Sequence, residues 1–319
     1  MARVLVTGAT GFVGRHLVRL LRERGDRVFG TCFPDHPGCD DRDLVHVDLR
    51  LEDGTERAVA DASPEGVFHL AAVSNVRRSW ERRRETIETN LLGTSNLFEA
   101  VRKRAPSARV LFLSSSDVYG VHADRTTPFR EEDAASVVNP YSFTKVAGEL
   151  LSRFYVQVEK LDIVVARSFP HTGPGQTADF VFSDWASQVV RIERGEAPPF
   201  LEVGNLDVRR DYSDVRDIVR AYALLLEKSR RGETYNVCSG RTVSLREGLE
   251  ELIGLARRPI EVRQDPARLR KTDIPFLAGD GSKLRRETGW APEIPFSRTL
   301  GDLLEFWRRE SEAGGGSGG

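Results

Sequence analysis

The chain has 319 residues, and its 47 basic and 48 acidic residues leave a formal net charge of -1. A chain of this length can bury a large core and form one large or two modest domains. Because the net charge is near zero, the protein as a whole has no electrostatic field that would recruit nucleic acid or an anionic membrane. No run of about 20 apolar residues is long enough to span a bilayer, and the N-terminus enters a predicted strand directly. We therefore expect a soluble cytoplasmic protein without nucleic-acid or membrane partners.

Two further features of the composition concern metal binding and the C-terminal tail. The three cysteines lack metal-ligand spacing, so we predict no metal site, and their low number suits a reducing cytoplasm. The tail 313–319 is rich in Gly and Ser, as flexible linkers are, and we exclude it from the predicted fold.

The first predicted element is a buried strand that runs into a glycine-rich turn. An apolar run from Val4 ends at Gly8, and helical spacing of Leu and Val begins after Gly14. In such a turn Gly8 permits the tight bend, Gly11 lets the backbone approach a pyrophosphate, and Gly14 permits close helix packing. The helix N-terminus adds unpaired N–H groups. We predict a dinucleotide site over a plain β-α turn, with the remaining cofactor contacts from Thr10, Phe12 and Val13.

The next two predicted strands bear on cofactor choice. Strand two, 27–32, ends in Cys32-Phe33-Pro34, which offers neither a carboxylate for a ribose 2′-hydroxyl nor an arginine for a 2′-phosphate. The cofactor is therefore NADPH or NADH, with no selectivity indicated. The third strand, 44–48, ends in Asp48, followed by Leu49. Asp48 either reaches the adenine edge or caps the turn before Leu51, and we assign both residues to the cofactor site.

Small residues end the fourth predicted strand, 67–72. Leu70, Ala71 and Ala72 permit close approach of the cofactor. Residues 77–84 mix arginine with glutamate and predict the solvated face of a helix. A helix from about 85 through 101 contains Asn90, which either satisfies a neighbouring backbone group or holds a catalytic water.

Hydroxyl groups and a carboxylate follow the fifth predicted strand, 109–113. Ser115, Ser116 and Asp117 would lie at the carboxyl end of a parallel strand, where open α/β sheets place their chemistry. The alternative is a Ser/Asp turn ahead of a loop. Further on, Tyr141 and Lys145 lie four residues apart on one helix face, after Pro140 near the helix start.

The Tyr141 and Lys145 pair predicts proton transfer. A phenol with its usual pKa of about 10 is a poor donor at neutral pH. Bringing that pKa near 7 needs about 4 kcal/mol, which one close ammonium in a partly dry site can supply with help from the nicotinamide charge. We predict that Lys145 lowers the pKa of Tyr141.

Several segments together resemble the extended short-chain dehydrogenase/reductases, the nucleotide-sugar epimerases and dehydratases. The matching residues are Gly8-x-x-Gly11-x-x-Gly14, Asn90, the Ser115 region and Tyr141-x-x-x-Lys145, and the likeness continues to about Trp307. The resemblance implies an α/β fold: a Rossmann doubly wound parallel sheet over 1–166, joined by segments around 205–240, and a smaller α/β substrate-binding domain over 167–312. It also implies a homodimer through helices at about 85–102 and 141–158.

Within the family, five later segments resemble reductases that act on a GDP-linked 4-keto-6-deoxyhexose and give a GDP-6-deoxyhexose such as GDP-D-rhamnose. These segments are 171–176, 201–212, 235–240, 264–270 and 279–283. On this basis Tyr141 donates the proton, Lys145 also holds the nicotinamide ribose, and Ser115 hydrogen-bonds the developing alkoxide, with Asp117 beside them. The expected substrate contacts are Ser74, Ser116, His171, Arg210 and Arg270.

Two arginines of that set have a physical reason for their assignment. Guanidinium groups of Arg210 and Arg270, converging from distant segments, can clamp a pyrophosphate, although each could instead form a surface ion pair. One departure from the family pattern weakens the substrate assignment: Pro170 stands where the family usually has an Asn expected to touch the nucleotide sugar, and it offers no donor.

Three alternative functions are compatible with the sequence. Dehydratases of the family carry Glu where this chain has Asp117, so dehydration of GDP-mannose, alone or with reduction, is the nearest alternative. Next is a sugar-nucleotide 4-epimerase, which would recycle a tightly held NAD on the same Tyr141 and Lys145. A non-catalytic dinucleotide-binding protein is disfavoured because both of these residues are retained.

Overall fold

The computed structural model describes residues 1–34, 44–122, 124–268 and 274–314. Within these ranges, seven strands form one sheet. They are β1 (Arg3–Thr7), β2 (Arg27–Cys32), β3 (Leu44–His46), β4 (Gly66–His69), β5 (Arg109–Ser115), β6 (Asp162–Ser168) and β11 (Thr234–Val237). The order is β11-β6-β5-β4-β1-β2-β3, and every pairing is parallel. The order reverses beside β1, as in a doubly wound Rossmann sheet, so the predicted fold class is confirmed.

Helices cover both faces of this sheet. They are α1 (Phe12–Glu23), α2 (Glu52–Ala62), α3 (Val76–Glu81), α4 (Arg83–Ile87), α5 (Gly93–Arg104), α6 (Pro140–Gln157) and α8 (Val215–Lys228). One core layer packs Leu17 of α1 and Val219 of α8 against the strands. The opposite layer packs Phe98 of α5 and Tyr155 of α6. The buried strands read as nearly continuous apolar runs because helices cover the sheet on both sides.

Several predicted boundaries differ from the observed ones. The fourth strand ends at His69 rather than at 72, because the Ala71 N–H turns to the Thr7 hydroxyl at 3.2 Å instead of continuing the ladder. The helix predicted over 85–101 is interrupted: a π-helical turn at Glu88–Leu92 lies between α4 and α5. Residues 76–81 form the expected solvated helix, on which Arg77 lies 3.7 Å from Glu81.

The remaining elements build a second apolar core. Its helices are α7 (Val181–Glu193), α9 (Leu245–Gly254) and α11 (Phe296–Gly314), and α10 (Ser282–Thr288) packs beside β11. Short strands complete this part of the chain: β7 (His171–Thr172), β8 (Phe200–Val203), β9 (Arg209–Asp211), β10 (Ser213–Asp214), β12 (Thr242–Ser244), β13 (Glu261–Gln264) and β14 (Phe276–Leu277).

The strands of the small sheets either lie between β6 and β11 in the sequence or follow β11. β7 pairs with β10, β8 with β13, and β9 with both β12 and β14. The chain then returns to the central sheet, since β11 pairs with β6. The division into domains at residue 166 stays a prediction. The predicted linker 313–319 begins inside α11, and residues 315–319 lie outside the described ranges. No helix of the described chain has the length and apolarity needed to cross a bilayer.

Gly148 provides a test of how tightly α6 packs on the sheet. A Cβ at Gly148 would lie 2.4 Å from Cζ of Phe112, a ring that also packs against Phe98. We expect Gly148→Ala to destabilise the protein by about 1–3 kcal/mol, because overpacking outweighs the better helix propensity of Ala. Urea unfolding measures this change.

The matched control is Gly254→Ala at the end of α9, where an added Cβ meets no atom within 4 Å. This change should be neutral or stabilise by up to about 1 kcal/mol. Equal effects of the two substitutions would contradict the packing account.

Candidate functional site

The turn after β1 is held in a form that only glycine permits. Gly8 has a φ of +69°, and a Cβ there would lie 3.0 Å from Ala71 at the end of β4. A Cβ at Gly14 would lie 2.2 Å from the Gly8 carbonyl oxygen. Gly11 donates its N–H to the same carbonyl at 3.1 Å. The turn is therefore pressed against both α1 and the β4 end, as the sequence predicts.

The N-terminus of α1 is open to an anion. Gly11 is its N-cap residue and supplies no side-chain cap, so the first-turn N–H groups keep their capacity to bind a phosphate. Thr10 is buried, and Phe12 and Val13 are half-buried at this turn. The Phe12 ring also stacks on His171 at 6.3 Å between centroids. Phe12 therefore joins the predicted cofactor turn to the predicted substrate region.

Asp48 has a structural partner at the other end of the predicted cofactor site. Its carboxylate accepts two bonds from Arg50 Nε, at 2.9 and 3.0 Å, one from Arg50 Nη2 at 2.6 Å and one from the Arg50 backbone N–H at 3.0 Å. The Arg50 guanidinium lowers the pKa of Asp48. These bonds favour the turn-capping interpretation, while contact with an adenine stays a prediction. Leu49 is buried under Gly93. The Arg50 guanidinium lies 5.6 Å from the ring centroid of Phe33.

A buried hydrogen-bond chain fixes the loop after β4. The Thr7 hydroxyl lies 2.8 Å from Nδ1 of His69, and Nε2 of His69 lies 2.9 Å from the Thr94 hydroxyl. Burial, with the Lys145 charge as a smaller cause, lowers the pKa of His69 to about 3, so the ring is neutral. The Thr7 hydroxyl also accepts from the N–H of Ala71. The loop 70–72, predicted to meet the cofactor, is thereby held next to Gly8.

Asn90 lies in the π-helical turn and uses its amide on neighbouring groups. Its Oδ1 accepts from the Val73 N–H at 2.7 Å, and its Nδ2 donates to the Val73 carbonyl and to the Thr144 hydroxyl, at 3.1 and 3.0 Å. Of the two predicted roles, the structure shows the first, satisfaction of backbone. Thr144 precedes Lys145, so Asn90 links the β4 loop to the helix that carries the predicted catalytic pair.

Three predicted catalytic residues come together at the end of β5. Ser115 lies beside the phenol of Tyr141, and its hydroxyl accepts from the Asp117 N–H at 3.1 Å. The Asp117 carboxylate lies close enough to disfavour ionisation of Tyr141. α6 presents Tyr141 in its first turn, where the N-cap residue Asn139 and Ser142 form a reciprocal capping box around Pro140, the first residue of the helix.

Lys145 lies under the same cluster, and its ammonium is bound to the backbone of β5. Its Nζ donates to the Leu113 carbonyl at 2.7 Å and lies 5.7 Å from the Tyr141 ring centroid. Burial lowers the pKa of Lys145 to about 8, against an opposing effect of the Glu149 carboxylate. The ammonium is thus held at the β5 end by the backbone.

The pKa of Tyr141 shifts in the direction opposite to the prediction. Burial raises the pKa of the phenol, and the Asp117 carboxylate raises it further, while the hydrogen bond with Ser115 lowers it. Lys145 is not among the groups that shift this pKa. The physical reason is that desolvation penalises a phenolate more than the ammonium, already bound to a carbonyl, can offset. Tyr141 is therefore a protonated phenol in this structure.

The predicted substrate residues have different environments. Ser74 is exposed on the β4 loop, and Ser116 is buried after β5. His171 Nδ1 donates to the Phe169 carbonyl at 2.9 Å, and burial lowers the pKa of the ring. Arg210 is half-buried on β9 and donates to the Arg209 carbonyl at 2.9 Å. Arg270 lies outside the described residues.

A buried ionic network behind the site was missed by the sequence reasoning. Arg167 donates to both Glu149 oxygens, at 3.0 and 2.8 Å, and to the Tyr119 hydroxyl at 3.1 Å. Glu149 also accepts from the Ser114 hydroxyl at 2.5 Å. Hydrophobic periodicity cannot predict this ion pair, since Arg167 lies on β6 and Glu149 lies on α6. The one available signal is a charged residue, Arg167, inside an otherwise apolar strand.

Comparison with known proteins places this geometry among nucleotide-sugar enzymes. The family described as GDP-mannose 4,6 dehydratase matches residues 5–303. A GDP-6-deoxy-D-mannose reductase of Pseudomonas aeruginosa is 37% identical over 305 residues, which cover 96% of this chain and 97% of that protein. The resemblance predicted from the glycine turn and the Tyr-Lys pair is therefore confirmed.

Solved structures of related enzymes have the same fold as this chain. The structure of RMD from Pseudomonas aeruginosa complexed with NADPH has a TM-score of 0.87 at 35% identity and covers 97% of this chain and all of that one. UDP-glucose 4-epimerase of Thermus thermophilus complexed with NAD has a TM-score of 0.85 at 30% identity, over 96% of this chain and 99% of that one. The shared fold thus carries both reductase and epimerase chemistry.

The neutral His69 ring predicts how stability depends on pH. Its folded-state pKa lies below the ordinary value of about 6.5, so its contribution is present above pH 6.5 and is lost as pH falls toward 3. Between pH 6 and pH 5 the wild type should lose up to about 1.4 kcal/mol more unfolding free energy than His69→Gln, which binds no proton there.

Urea unfolding at pH 7, 6 and 5 provides the measurement. His46→Gln, at an exposed position, is the matched control and should keep the wild-type slope. If His69→Gln also keeps that slope, the ring is not buried in its neutral form.

Proposed function

We propose a function from the premise that this chain belongs to the GDP-mannose 4,6 dehydratase family. The proposed reaction is reduction of the C4 ketone of a GDP-linked 4-keto-6-deoxyhexose by NADPH or NADH, giving a GDP-6-deoxyhexose such as GDP-D-rhamnose. The observation that carries it is the placement of Ser115 beside the Tyr141 phenol, with Lys145 Nζ 5.7 Å from the ring centroid, in a chain similar to a GDP-6-deoxy-D-mannose reductase.

The residues at the first turn fit a nicotinamide dinucleotide. The Gly8–Gly14 turn has no room for a side chain at Gly14, and the uncapped α1 N-terminus offers N–H groups and partial positive charge to a pyrophosphate. The Ala71 N–H is held by the Thr7 hydroxyl, and the side chains of Ala71 and Ala72 are small enough to permit close approach of the cofactor. Bound there, the reduced cofactor would supply the hydride for the carbonyl carbon.

The side chains supply the proton and the electrostatics. Tyr141 stays protonated at neutral pH because burial and Asp117 raise its pKa, and an alkoxide is basic enough to take its proton. The proton passes from the phenol oxygen to the carbonyl oxygen, which Ser115 stabilises by a hydrogen bond. Lys145 Nζ lies 5.7 Å from the centroid of the Tyr141 ring, where it would hold the nicotinamide ribose of the bound cofactor.

Dehydration of GDP-mannose is the second candidate function. The observation in its favour is Asp117, a carboxylate whose charge reaches Tyr141, in a family whose description is a dehydratase. Asp is one methylene shorter than the Glu expected in dehydratases, and a misplacement of about 1 Å can cost on the order of a hundredfold in rate. We therefore rank reduction first.

The reductase proposal predicts cofactor oxidation in stoichiometric amounts. Purified protein, mixed with GDP-4-keto-6-deoxymannose and either reduced cofactor, should oxidise the cofactor and give a product whose C4 configuration NMR identifies. Tyr141→Phe should lower kcat by about 10²–10⁴-fold, because it removes the proton donor and keeps the ring.

The matched control is Tyr155→Phe on the same helix, where the phenol donates to Glu99 at 2.6 Å away from the site. Its kcat should stay within about threefold of wild type. Conversion of GDP-mannose to the keto sugar without any reduction would instead establish the dehydratase.

We also propose that the protein is a homodimer. α4 and the π-helical turn contact α6, and exposed apolar side chains continue across them. They are Ile87, Leu92, Phe143, Leu150, Phe154 and Val158. On α6 these residues recur at spacings of seven and four and therefore share one face. A contiguous apolar surface of this kind favours burial against a second copy.

Light scattering at micromolar concentration tests the dimer. Wild type should have the mass of two chains, and Leu150→Arg should give a monomer, because a charge would be buried at the centre of the apolar face. Leu255→Arg, at a similarly exposed leucine after α9, should leave the mass unchanged. A monomeric wild type would contradict the proposal.

A further inference from the structure

Lys145 and Glu149 lie one turn apart on α6 and bind neighbouring residues of β5. Lys145 Nζ donates to the Leu113 carbonyl at 2.7 Å. Glu149 Oε1 accepts from the hydroxyl of the next residue, Ser114, at 2.5 Å. Because residues four apart lie on the same face of a helix, the two side chains meet the end of β5 together. A carboxylate that the proposed reaction does not use is thus held within one helical turn of the ammonium.

The neighbouring strand fixes this carboxylate from a second side. Arg167 on β6 is the register partner of Ser114 on β5, and it donates to both Glu149 oxygens, at 3.0 and 2.8 Å. Its Nη1 also donates to the Tyr119 hydroxyl and the Glu131 carbonyl, at 3.1 and 3.0 Å. The side chains of Arg167 and Glu149 are only 9% and 12% exposed. The carboxylate therefore has donors on two strands and a fixed position.

Stability does not explain why an ion pair occupies this place. Two residues earlier on the same strands, Phe112 and Val165 are also register partners, and both are buried in the apolar core. Side chains alternate along a strand, so the charged pair continues this apolar face. Taking two charges out of water is costly, and apolar residues of similar volume often stabilise a core equally well. A role outside stability would account for the charges.

The Lys145 ammonium is the group near the pair that needs a counter-charge. Its side chain is buried, and Nζ lies 5.4 Å from the ring centroid of Phe112 and 5.7 Å from that of Tyr141. Burial lowers the pKa of Lys145 to about 8, and the Glu149 carboxylate acts in the opposite direction. Without this carboxylate, the low-dielectric surroundings would release the proton at a lower pH.

The other titratable groups around the ammonium do not supply this charge. His69, on β4, is a neutral ring, and Tyr141, on α6, is a protonated phenol. Asp117, after β5, is a carboxylate whose charge acts on the phenol. Arg167, on β6, has the same sign as the ammonium. Among the described residues, Glu149 is the group that opposes the loss of the ammonium proton.

We propose that Glu149 is a positioning residue for the reaction, whose buried carboxylate holds the charged Lys145 side chain against the end of β5. This inference rests on the proposed function, in which Lys145 holds the nicotinamide ribose. An ammonium has three donors, and the Leu113 carbonyl uses one, so two can serve the ribose hydroxyls. A neutral amine lacks the charge and one donor. Loss of the proton therefore weakens the bound cofactor.

Fluorescence titration with NADPH from about pH 6.5 to pH 9.5 tests the proposal on the whole protein. Wild type should keep its affinity up to about pH 8 and lose it above, as Lys145 gives up its proton. Glu149→Gln keeps the shape and removes the charge, which should move this onset down by about one unit. At pH 8 it should bind NADPH about fivefold more weakly than wild type, and at pH 6.5 within about twofold.

A pair variant, Glu149→Leu with Arg167→Met, separates this role from stability. Two apolar side chains of similar size should return the free energy of unfolding to near the wild-type value. The onset should nevertheless stay below that of wild type, because the counter-charge is still absent. If the pair variant recovers the wild-type onset together with the stability, Glu149 has only a structural role and the proposal is wrong.

The matched control is Glu193→Gln, at a buried carboxylate on α7 that accepts from Arg308 at 2.9 and 2.6 Å. This variant loses a similar ion pair far from Lys145 in the sequence and in another core. It should be destabilised but keep the wild-type dependence of NADPH affinity on pH. An unchanged onset in Glu149→Gln, or an affinity of wild type that does not change with pH, would overturn the assignment of Glu149.

The titration also separates this inference from the proposed reaction, because cofactor binding needs no turnover. A lowered onset in Glu149→Gln, in a protein that does not reduce the keto sugar, would reject the reductase and keep the role of Glu149. Reduction of the keto sugar with an unchanged onset would reject the role of Glu149 alone.

Discussion

The contact on which the site depends is the close approach of backbone to backbone at the first turn. A Cβ at Gly14 would fall 2.2 Å from the Gly8 carbonyl oxygen, and one at Gly8 would fall 3.0 Å from Ala71. These two approaches bring α1, β1 and the end of β4 to one point. Because protein interiors are close-packed, the turn cannot move away from either neighbour without opening a void. The proposed cofactor residues of the first turn and of the β4 end are placed relative to this point.

Two buried polar networks connect the strands of the sheet to the helix that carries the proposed catalytic side chains. The first runs from Thr7 through His69 to Thr94, and Asn90 extends the connection to α6. In the second, Arg167 and Glu149 share a bidentate ion pair behind β5. A fully satisfied polar network in a low-dielectric interior permits few alternative arrangements. Tyr141 and Lys145 are consequently fixed from both sides of their helix.

The proposed chemistry rests on one of two apolar cores. Ser115, Tyr141 and Lys145 lie near the carboxyl ends of sheet strands, where the proposed cofactor would also lie. The helix α7 belongs to the second core, which follows β6 in the sequence. A substrate that spans both regions would gain binding energy remote from the reacting carbon and could use it for orientation.

The sequence alone determined the fold class and the local chemistry. Apolar runs ending in glycine, and Tyr141 four residues before Lys145, depend on neighbours in the chain, so spacing reveals them. The tertiary structure decided which distant groups meet. It paired His69 with Thr94 and Arg167 with Glu149, and it bound Lys145 to the Leu113 carbonyl. It also reversed the expected pKa shift of Tyr141, because desolvation depends on everything packed around the phenol and no local pattern encodes it.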